Sequence, residues 1–598
     1  MKSLLKLVPF VRPYFLRILA GCAAFFVARL FEASSFLLVA EGIDAIDILD
    51  RGNQAARGYS LKTITVGIIA AVTLRFFFIV FARRAIRRVG ISVSFDLRQE
   101  LYASVQKQGS RFFAGIGVGD LMIRAIQDIS LVQRLIAMGL IQLVIMVYAP
   151  VIAVTVMLFK SPSLTLLILP ALPLVFVYAW YMSKQLAITS RAVQERLSAL
   201  SSHTQENLSG IRTVQAQAQE DNEIARFWLS NDAYATAFYA QARINSLMGA
   251  WMPLFASLGH LGILVYGGNL VLSGQITIGE LFVFFYFLNM LLQPIRMAGF
   301  FVTLLQRAAV STDRLYEVYD AVPEIEDRPT DNTPAEISGS FELRNLSYTY
   351  PGSDASVLEG ISFSVEQGES IGIVGRVGSG KSTLLKQFTR MVDTNPGQLY
   401  LDGHDVCDYP LARLRAQIGQ VLQDPFLFGE ALRNNISYDD PDRHLDLIWD
   451  SAESAALRDT IEELPQQMDT VVGERGVTLS GGQKQRTTLA RGLIRDAPVL
   501  ILDDCFSSVD TETEEHILSR LKAMRKQKTT ILVSHRVSTL RHSDRIIVLE
   551  EGRIAEMGSH EELLRLNGIY AELERVQTQG ISSSEDGGSG EYELSGSR

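Results

Sequence analysis

The sequence predicts a multidomain membrane protein, in which an all-α transmembrane domain of six helices is followed by an α/β domain with a phosphate-binding loop. Three observations lead to this fold class. The chain has 598 residues, which is too long for one hydrophobic core. Its long apolar runs all lie before about residue 320. The segment Gly375–Thr383, GRVGSGKST, fits the pattern G-x-x-x-x-G-K-[ST].

Composition argues against several classes of protein. Hydrophobic residues make up 48% of the chain and the mean hydropathy is +0.17, which is high for a wholly soluble protein of this size. The net charge of −9 gives no argument for binding nucleic acid, so we expect no nucleic-acid partner. Cys22, Cys407 and Cys505 lie far apart without metal-ligand spacing, which argues against a disulfide framework and a zinc site.

Six apolar segments are long enough to cross a lipid bilayer, which requires about 20 residues in a helix. We place these spans near 16–42, 62–82, 136–159, 163–183, 246–272 and 278–300. The residues before the first span contain Pro9 and Pro13, and they predict a short interfacial helix rather than a cleavable signal peptide.

Basic residues indicate how the spans are oriented. They follow the second, fourth and sixth spans: Arg83, Arg84, Arg87, Arg88, Lys184, Arg191, Arg296 and Arg307. The loops on the other side are very short, or mixed in charge, as between Asp44 and Arg57. The positive-inside rule therefore predicts a multi-pass protein of the cytoplasmic (inner) membrane, with both termini and the phosphate-binding domain in the cytoplasm.

Two long connections between spans, 83–135 and 184–245, are charged and have helical periodicity. We expect them to extend the membrane helices into the cytoplasm. Each contains a break where a short transverse element can lie, at 112–120 and at 206–214.

Four ionisable residues fall inside the spans: Arg29, Glu32, Arg75 and His260. Arg29 and Glu32 are three residues apart on one helical face and can pair. The charged residues either line a polar substrate pathway or form a salt bridge that holds helices together, and the sequence favours neither. His260 is expected to be a hydrogen-bonded packing residue.

Strands and helices alternate in the second half of the chain, which indicates an α/β domain around a largely parallel sheet. We assign residues 1–320 to the transmembrane domain and 321–337, which is polar and contains three prolines up to residue 334, to a linker. Residues 338–576 form the nucleotide-binding domain, and 577–598, rich in Ser, Gly and Glu, a disordered tail.

The phosphate-binding loop is predicted to lie between an apolar strand, Ser370–Gly375, and the start of a helix. Its glycines let the backbone curl so that N–H groups point at phosphate oxygens, and the helix N-terminus favours anions. Lys381 reaches the β- and γ-phosphates, and the Ser382 hydroxyl suits Mg²⁺. We expect the following residues to bind ATP: Gly375, Gly378, Ser379, Gly380, Lys381, Ser382 and Thr383.

Five further residues suit the same nucleotide. Tyr350 offers a ring on which the base can stack, and Gln423 follows a strand, where it can touch metal or water. Another apolar strand ends in Asp503 and Asp504. In P-loop enzymes the first such Asp holds Mg²⁺, and its neighbour can position water. His535 ends a further apolar strand and is placed to reach the γ-phosphate.

The segment Leu479–Gln483, LSGGQ, opens a predicted helix over residues 484–494. Ser480 and the amides of Gly481 and Gly482 therefore form an anion-binding turn. This turn stands about a hundred residues from the phosphate-binding loop, and one domain seldom needs two phosphate cradles. We expect it to cap a nucleotide held by another copy of the domain.

These motifs, in this order, resemble the ABC transporter family, and they cover roughly 338–576. The matches are Tyr350 with the A-loop, Gly375–Thr383 with Walker A, Gln423 with the Q-loop, Val472–Gly476 with the X-loop, Leu479–Gln483 with the signature, Leu500–Asp503 with Walker B, Ser507–Asp510 with the D-loop and His535 with the switch histidine. Upstream, 119–124 and 206–214 are similar to cytoplasmic loops of six-helix exporter half-transporters. The resemblance therefore extends over nearly the whole chain up to about 576.

The resemblance implies an ABC-type P-loop NTPase domain and a dimer of half-transporters. Two ATP molecules are sandwiched between the Walker motifs of one subunit and the signature of the other. It implies these roles: catalytic for Asp504, His535 and Gln423; Mg²⁺ binding for Ser382, Gln423 and Asp503; nucleotide binding for Tyr350, Ser480, Gly481, Gly482, Gln483 and Asp510. ATP-driven closure pushes on coupling helices near 112–118 and 208–214, and hydrolysis resets the transporter.

One position departs from the family pattern. The residue after the Walker B aspartate is usually Glu, and here it is Asp504. This is either a tolerated exchange of one acid for another or the mark of a degenerate site in a heterodimer. In the second case the partner is a different half-transporter, with Glu after its own Walker B aspartate and a deviant signature.

The sequence thus predicts an ATPase that exports a small hydrophobic or amphipathic compound across a lipid bilayer. A lipid flippase, formed as a homodimer, uses the same scaffold. An ATP-gated regulator or channel with little ATP turnover is a different class of function, and Asp504 leaves this class as an alternative. Importers usually carry their membrane and ATPase parts on separate chains, so the fusion of both parts favours export.

Overall fold

The computed structural model describes residues 2–50, 61–327, 333–473 and 479–585. The chain divides into two compact units. The helical unit comprises the residues up to Lys107 together with Phe113–Ala321. The α/β unit comprises Gln108–Phe112 and the chain from Val322 onward. The division after Ala321 falls at the start of the predicted linker, of which residues 328–332 lie outside the described residues.

Within the described part of the helical unit, six helices are long and apolar enough to cross a membrane, which confirms the six predicted spans. The last of them has 42 residues and measures about 63 Å at 1.5 Å per residue, whereas the hydrocarbon layer is about 30 Å thick. The helices therefore continue well beyond their apolar parts. Their bounds are α1 Phe15–Asp50, α2 Leu61–Gln106, α3 Val118–Lys160, α4 Pro162–Ser209, α5 Glu220–Leu272 and α6 Ile278–Tyr319.

The residues before α1 form two short helices, Lys2–Leu5 and Val8–Val11, the second of which has Pro9 in its first turn. Lys6 lies between them, and its ammonium group is 3.6 Å from the carboxylate of Asp320, which caps α6. The N-terminal segment is thus helical, as expected, and is tied to the end of the last long helix.

A short helix lies in each long connection: Ser110–Gly115 between α2 and α3, and Ile211–Ala216 between α4 and α5. These are the places where breaks in the sequence predicted short transverse elements. Gln108–Phe112, around the start of the first short helix, is grouped with the α/β unit rather than with the helical unit.

The charged residues inside the spans form one cluster. Glu32 accepts hydrogen bonds from Nη2 of Arg75 at 2.7 Å and from the hydroxyl of Tyr286 at 3.1 Å, and it also pairs with Arg29 as predicted. The cluster joins α1, α2 and α6, which supports a role in holding the helices together. The ring nitrogens of His260 contact an asparagine amide of α6 and a carbonyl of its own helix, each at 3.1 Å, which confirms a hydrogen-bonded packing residue.

In the described part of the α/β unit, ten strands form two sheets. They are β1 Phe341–Thr349, β2 Ser356–Val365, β3 Ser370–Gly375, β4 Leu399–Leu401, β5 His404–Asp405, β6 Ile418–Val421, β7 Val499–Asp503, β8 Thr529–Val533, β9 Arg545–Glu550 and β10 Arg553–Gly558. One sheet has the order β10-β9-β3-β8-β7-β6 and is parallel except at β10, which confirms the predicted largely parallel sheet. The antiparallel sheet β2-β1-β4-β5 was not predicted.

The helices of the α/β unit are α7 Lys381–Phe388, α8 Leu411–Ala416, α9 Leu432–Ile436, α10 Leu445–Ser454, α11 Arg458–Glu462, α12 Gly481–Leu493, α13 Thr511–Met524, α14 Val537–Leu540, α15 His560–Leu566 and α16 Ile569–Glu585. All residues of β7 and β8 are buried, as expected for parallel strands covered on both faces. The last helix continues beyond the predicted domain end at 576, and residues 586–598 of the predicted tail lie outside the part that the structure describes.

Charged side chains also tie α3 to α6 outside their apolar parts. Arg124 is buried in a π-helical turn of α3. Its Nε donates to Asp120 at 2.8 Å, and its Nη1 lies 2.9 Å from Glu317 of α6. Arg314 of α6 pairs with Asp120 and, at 3.1 Å, with Asp128. The hydrogen bond from Arg124, reinforced by the charge of Arg314, holds the pKa of Asp120 below its usual range.

Replacing Asp120 by Asn is expected to lower the melting temperature of the purified protein at neutral pH, because the amide no longer pairs with two guanidinium groups. Since the folded-state pKa of Asp120 is lowered, its carboxylate stabilises the fold above the unfolded-state pKa of about 3.9. That contribution is lost as the pH falls through the folded-state value. The difference from wild type should therefore shrink below about pH 4 in thermal unfolding measurements.

Glu317→Gln is the matched control, because it removes the more exposed carboxylate beside Arg124. It should lower the melting temperature less than Asp120→Asn does. Equal decreases in melting temperature for the two substitutions would contradict a stabilising role of the Asp120 carboxylate. So would a difference in melting temperature between Asp120→Asn and wild type that grows as the pH falls.

Candidate nucleotide-binding site

The predicted phosphate-binding loop connects β3, an inner strand of the parallel sheet, to α7. Gly378 and Gly380 have φ angles of +85° and +98°, in the left-handed region that favours glycine. A Cβ atom on Gly380 would lie 2.9 Å from the carbonyl oxygen of Val357, whereas one on Gly378 would meet nothing within 4 Å. The loop is therefore curled and packed against neighbouring backbone at Gly380.

Lys381, the first residue of α7, is buried at the loop. Its ammonium group donates to the carbonyl oxygens of Gly375 at 2.7 Å and Arg376 at 2.9 Å. Burial lowers the pKa of Lys381, and the charges of two nearby aspartates at the end of β7 oppose that shift. The side chain of Ser382, the next residue, is exposed, and no hydrogen bond within the described residues occupies its hydroxyl.

Asp503 and Asp504 close β7 at the sheet edge where β8 also ends. Asp503 is buried, and its burial, together with the neighbouring charge of Asp504, raises the pKa of its carboxyl group. Asp504 has a φ of +44°, a left-handed conformation that aspartate tolerates better than most residues. Its N–H donates to the carbonyl of Val533 at 2.9 Å. The chain thus turns sharply after β7, and Asp504 is anchored to the neighbouring strand.

The three residues predicted to be catalytic lie together in the structure. Nε2 of Gln423 is 3.5 Å from Oδ2 of Asp504, and the backbone N–H of His535 points at Oδ1 of Asp504 over 3.4 Å. They follow β6, β7 and β8, which are neighbours in the sheet. Because the carboxyl ends of adjacent parallel strands meet at one edge, residues from three distant segments surround one carboxylate.

Tyr350 follows β1 and stands beside the loop. Its hydroxyl lies 3.1 Å from Oγ1 of Thr383 in α7, and its ring packs edge-on against Tyr348. The residue is only half-buried, so part of its ring stays accessible. This position suits the base-stacking role that the sequence predicts.

The signature segment starts its helix earlier than predicted, at Gly481 instead of residue 484. The reason is a capping box: Ser480 Oγ accepts from the N–H of Gln483 at 3.3 Å, and Oε1 of Gln483 accepts from the N–H of Ser480 at 2.9 Å. The amides of Gly481 and Gly482 therefore lie in the first turn, where a helix provides no partner for them. Among the described residues, no hydrogen bond joins this turn to the phosphate-binding loop.

Two residues that sequence reasoning missed hold the segment after β7. Gln485 of α12 donates to Oγ of Ser507 at 2.7 Å and accepts from the N–H of Ser508 at 2.8 Å. Arg536, next to the predicted switch histidine, donates to the carbonyl oxygens of Ser507 and Val509, each at 3.2 Å. Their partners lie 22 to 29 residues away in the chain, so no local pattern could have found them.

Asp510, which is predicted to bind nucleotide, caps α13. Its Oδ1 accepts from the N–H of Thr513 at 2.9 Å, and this hydrogen bond lowers the pKa of Asp510. Its predicted contribution to a nucleotide site thus stays a prediction. Of the segment Val472–Gly476, predicted as an X-loop, residues 474–476 lie outside the described ranges.

Comparison with known proteins matches both halves of the chain. Residues 15–295 match a family model described as ABC transporter transmembrane region, and residues 358–507 match one described as ABC transporter. An ATP-dependent lipid A-core flippase of Syntrophus aciditrophicus is 34% identical over 577 residues, which are 96% of this chain and 94% of the flippase. A putative multidrug export ATP-binding/permease protein of Bacillus subtilis is 31% identical over 582 residues, 96% of this chain and 99% of its own.

A solved structure has the same fold. That of a bacterial Atm1-family ABC exporter with ATP bound matches with a TM-score of 0.74 and 27% sequence identity, and the match covers 96% of this chain and 99% of that one. ABC exporters act as dimers in a lipid bilayer. The membrane-crossing helices, the phosphate-binding loop and these relatives together show that the chain belongs to the ABC transporter family, as an exporter-type half-transporter that binds ATP and couples its hydrolysis to transport.

Proposed function

We propose that this chain is one half of a heterodimeric exporter that moves a hydrophobic or amphipathic compound out of the cell by alternating access. One observation supports the proposal of a heterodimer. Asp504 stands where the family usually has Glu, and its carboxylate faces both Gln423 and His535, which are in place. The neighbours of a catalytic carboxylate are therefore present, but the side chain that carries this carboxylate is one methylene shorter than that of Glu.

ATP is bound at the carboxyl edge of the parallel sheet. The base stacks on Tyr350, and the curled backbone of Gly375–Thr383 donates its N–H groups to the phosphates. The buried ammonium group of Lys381 moves from loop carbonyls to the β- and γ-phosphates. The exposed His535 side chain contacts the γ-phosphate.

The residues expected to hold Mg²⁺ fit that ion. Asp503 supplies a buried carboxylate, Ser382 an exposed hydroxyl and Gln423 an amide oxygen. Mg²⁺ takes oxygen ligands and is usually held by one or two carboxylates together with substrate phosphates. When bound, the ion neutralises charge that develops on the phosphates during transfer to water.

Asp504 orients the water that attacks the γ-phosphate. Its carboxylate is withdrawn by about 1.5 Å, one C–C bond, relative to that of Glu. A displacement of that order costs on the order of 100-fold in rate when water must be held in line. This chain's own site therefore binds ATP but turns over slowly.

The signature of this chain serves the other site. Ser480 and Gln483 order the turn through their capping box, which leaves the amides of Gly481 and Gly482 to cap the nucleotide of the partner. That partner is a different half-transporter, with Glu after its Walker B aspartate and a deviant signature. The second ATP is then the one that is hydrolysed quickly.

Nucleotide closure reaches the membrane through the short helices Ser110–Gly115 and Ile211–Ala216 in the long connections. The basic residues after the second, fourth and sixth spans support a location of these connections, both termini and the ATPase domain in the cytoplasm, with the helices in the inner membrane.

The substrate class has two candidates. A multidrug-type relative in Bacillus subtilis favours a small amphipathic compound, and the flippase of Syntrophus aciditrophicus favours a lipid moved by a homodimer. An ATP-gated regulator with little turnover is the alternative that Asp504 supports.

Gly380→Ala is expected to weaken ATP binding by more than about tenfold, because the new methyl group clashes with backbone in addition to the strain of a left-handed residue. Gly378→Ala is the matched control, since it has the same strain without a clash and should cost about 1 kcal/mol, or about fivefold. Titration of the purified complex with a fluorescent ATP analogue measures both. Equal losses of ATP affinity in the two variants would contradict the proposal that the loop Gly375–Thr383 binds the phosphates.

Asp504→Glu is expected to raise ATP turnover of the purified complex by up to about 100-fold at this chain's site, because it returns the carboxylate to its usual reach. Asp504→Asn should remove the residual turnover of that site. Phosphate release by a complex whose partner site carries an inactivating substitution isolates the effect. A rate that is unchanged or lower in Asp504→Glu would count against the degenerate site.

Substrate-stimulated ATPase activity distinguishes export from regulation. The complex, reconstituted in liposomes, is expected to hydrolyse ATP faster in the presence of doxorubicin as an amphipathic probe, and to accumulate this probe inside liposomes whose ATPase domains face outward. Stimulation by a fluorescent phospholipid, with ATP-dependent movement between leaflets, would identify a flippase instead. A rate that neither compound changes would contradict both and favour the regulator.

A further inference from the structure

The C-terminal helix, α16, is anchored firmly at its beginning. The carboxylate of Glu556, on the edge strand β10, accepts from the backbone N–H of Ile569 at 2.5 Å and of Tyr570 at 3.2 Å. A carboxylate at this end also matches the positive pole of the helix dipole. Tyr570 is fully buried, and its hydroxyl lies 2.8 Å from Nδ1 of His560. The first turn of α16 is therefore fixed to the α/β unit.

Two turns later the same face of α16 carries Gln577. Seven residues separate it from Tyr570, which corresponds to about two helical turns. Leu573, one turn after Tyr570, packs against the hydrophobic core of the unit. Gln577 is therefore the point at which the packed face of the helix changes from apolar to polar.

The amide of Gln577 bridges the backbone on both sides of Arg536. Its Nε2 donates to the carbonyl of His535 at 2.7 Å, and its Oε1 accepts from the N–H of Val537 at 2.9 Å. Only a primary amide side chain supplies an N–H donor and a carbonyl acceptor together at this length. The match between one glutamine and two backbone groups fixes the path of the chain through His535.

The other side of the same segment is held by the contacts of Arg536 with the carbonyl oxygens of Ser507 and Val509. The N–H of His535 faces the carboxylate of Asp504 over 3.4 Å. The histidine backbone thus lies between the predicted catalytic carboxylate and the C-terminal helix, while its side chain is exposed. A shift of this backbone would displace the imidazole directly.

We propose that Gln577 is a positioning residue of the ATP site, which aims His535 at the γ-phosphate by holding the backbone on either side of it. Through this contact the C-terminal helix becomes part of the nucleotide site. The inference rests on the proposed role of His535 toward the γ-phosphate. It goes beyond that role, because it assigns a function to a residue outside every nucleotide motif of the chain.

A positioning role and a merely stabilising role have different consequences. If Gln577 only stabilised the fold, its loss would weaken ATP and ADP binding alike. If it aims His535, its loss weakens ATP binding selectively, because ADP has no γ-phosphate to contact. The ratio of the two affinities at this chain's own site is therefore the informative quantity, and it does not require fast hydrolysis.

The test uses Gln577→Met in the purified full-length complex, since Met has similar length without the amide group. Photolabelling of this chain with 8-azido-ATP on ice, resolved from any partner by mass, is competed with ATP or with ADP. The preference for ATP over ADP is expected to fall about fivefold. Thr578→Ala is the matched control, because Thr578 is exposed and bonds to Glu574 of its own helix, and it should leave the ratio unchanged.

A double-mutant cycle shows whether Gln577 acts through His535. His535→Ala is expected to lower the same ratio, and adding Gln577→Met to it should cause no further loss. If Gln577→Met yields no folded complex, Gln577→Glu retains the acceptor for Val537 and removes the donor to His535, and the same selective loss is expected.

Equal weakening of ATP and ADP by the Gln577 variants, or an effect that adds to that of His535→Ala, would overturn the inference. If His535→Ala lowers the ratio and the Gln577 variants do not, this inference alone fails. If His535→Ala leaves the ratio unchanged, the proposed role of His535 fails and the inference fails with it.

Discussion

The site depends on a balance of charge between one buried cation and two acids. Lys381 lies at the phosphate-binding loop, and Asp503 and Asp504 lie at the carboxyl end of β7. Burial lowers the pKa of the lysine and raises that of Asp503, so the interior disfavours the charged form of each. A bound triphosphate brings negative charge to the buried lysine. The parallel sheet makes this possible, because adjacent strands end at one edge.

Charged residues of the helical unit are also paired with opposite charges. Inside the spans, Glu32 of α1 pairs with Arg75 of α2, and beyond them Arg124 of α3 pairs with Glu317 of α6. In both cases a charged side chain of one helix is paired with a charge on another. Ionic contacts therefore join α1 to α2 and α3 to α6.

The sequence predicted those parts of the fold whose signals are local. Hydropathy located six spans, and the motif around Lys381 located the loop between β3 and α7. The parallel order of β3, β8 and β7 placed Asp504 beside His535, as the motifs implied.

What could not be predicted depends on partners that are distant in the chain. Gln485, Arg536 and Gln577 bond to backbone groups that lie 23 to 42 residues away in the chain, so no local pattern marks them. In the antiparallel sheet β1 also pairs with β4, which lies far along the chain, and that pairing has no local signal in the sequence. The earlier start of α12 follows from the capping box of Ser480 and Gln483, which are three residues apart, the spacing that a capping box requires.

The heterodimer with a slow site at Asp504 is tested most directly by the subunit composition of the complex, isolated from native membranes through a tag on this chain. The account predicts two different chains in equal amounts, the second with Glu after its Walker B aspartate. Two copies of this 66.3 kDa chain alone would contradict it, because Asp504 would then serve both sites.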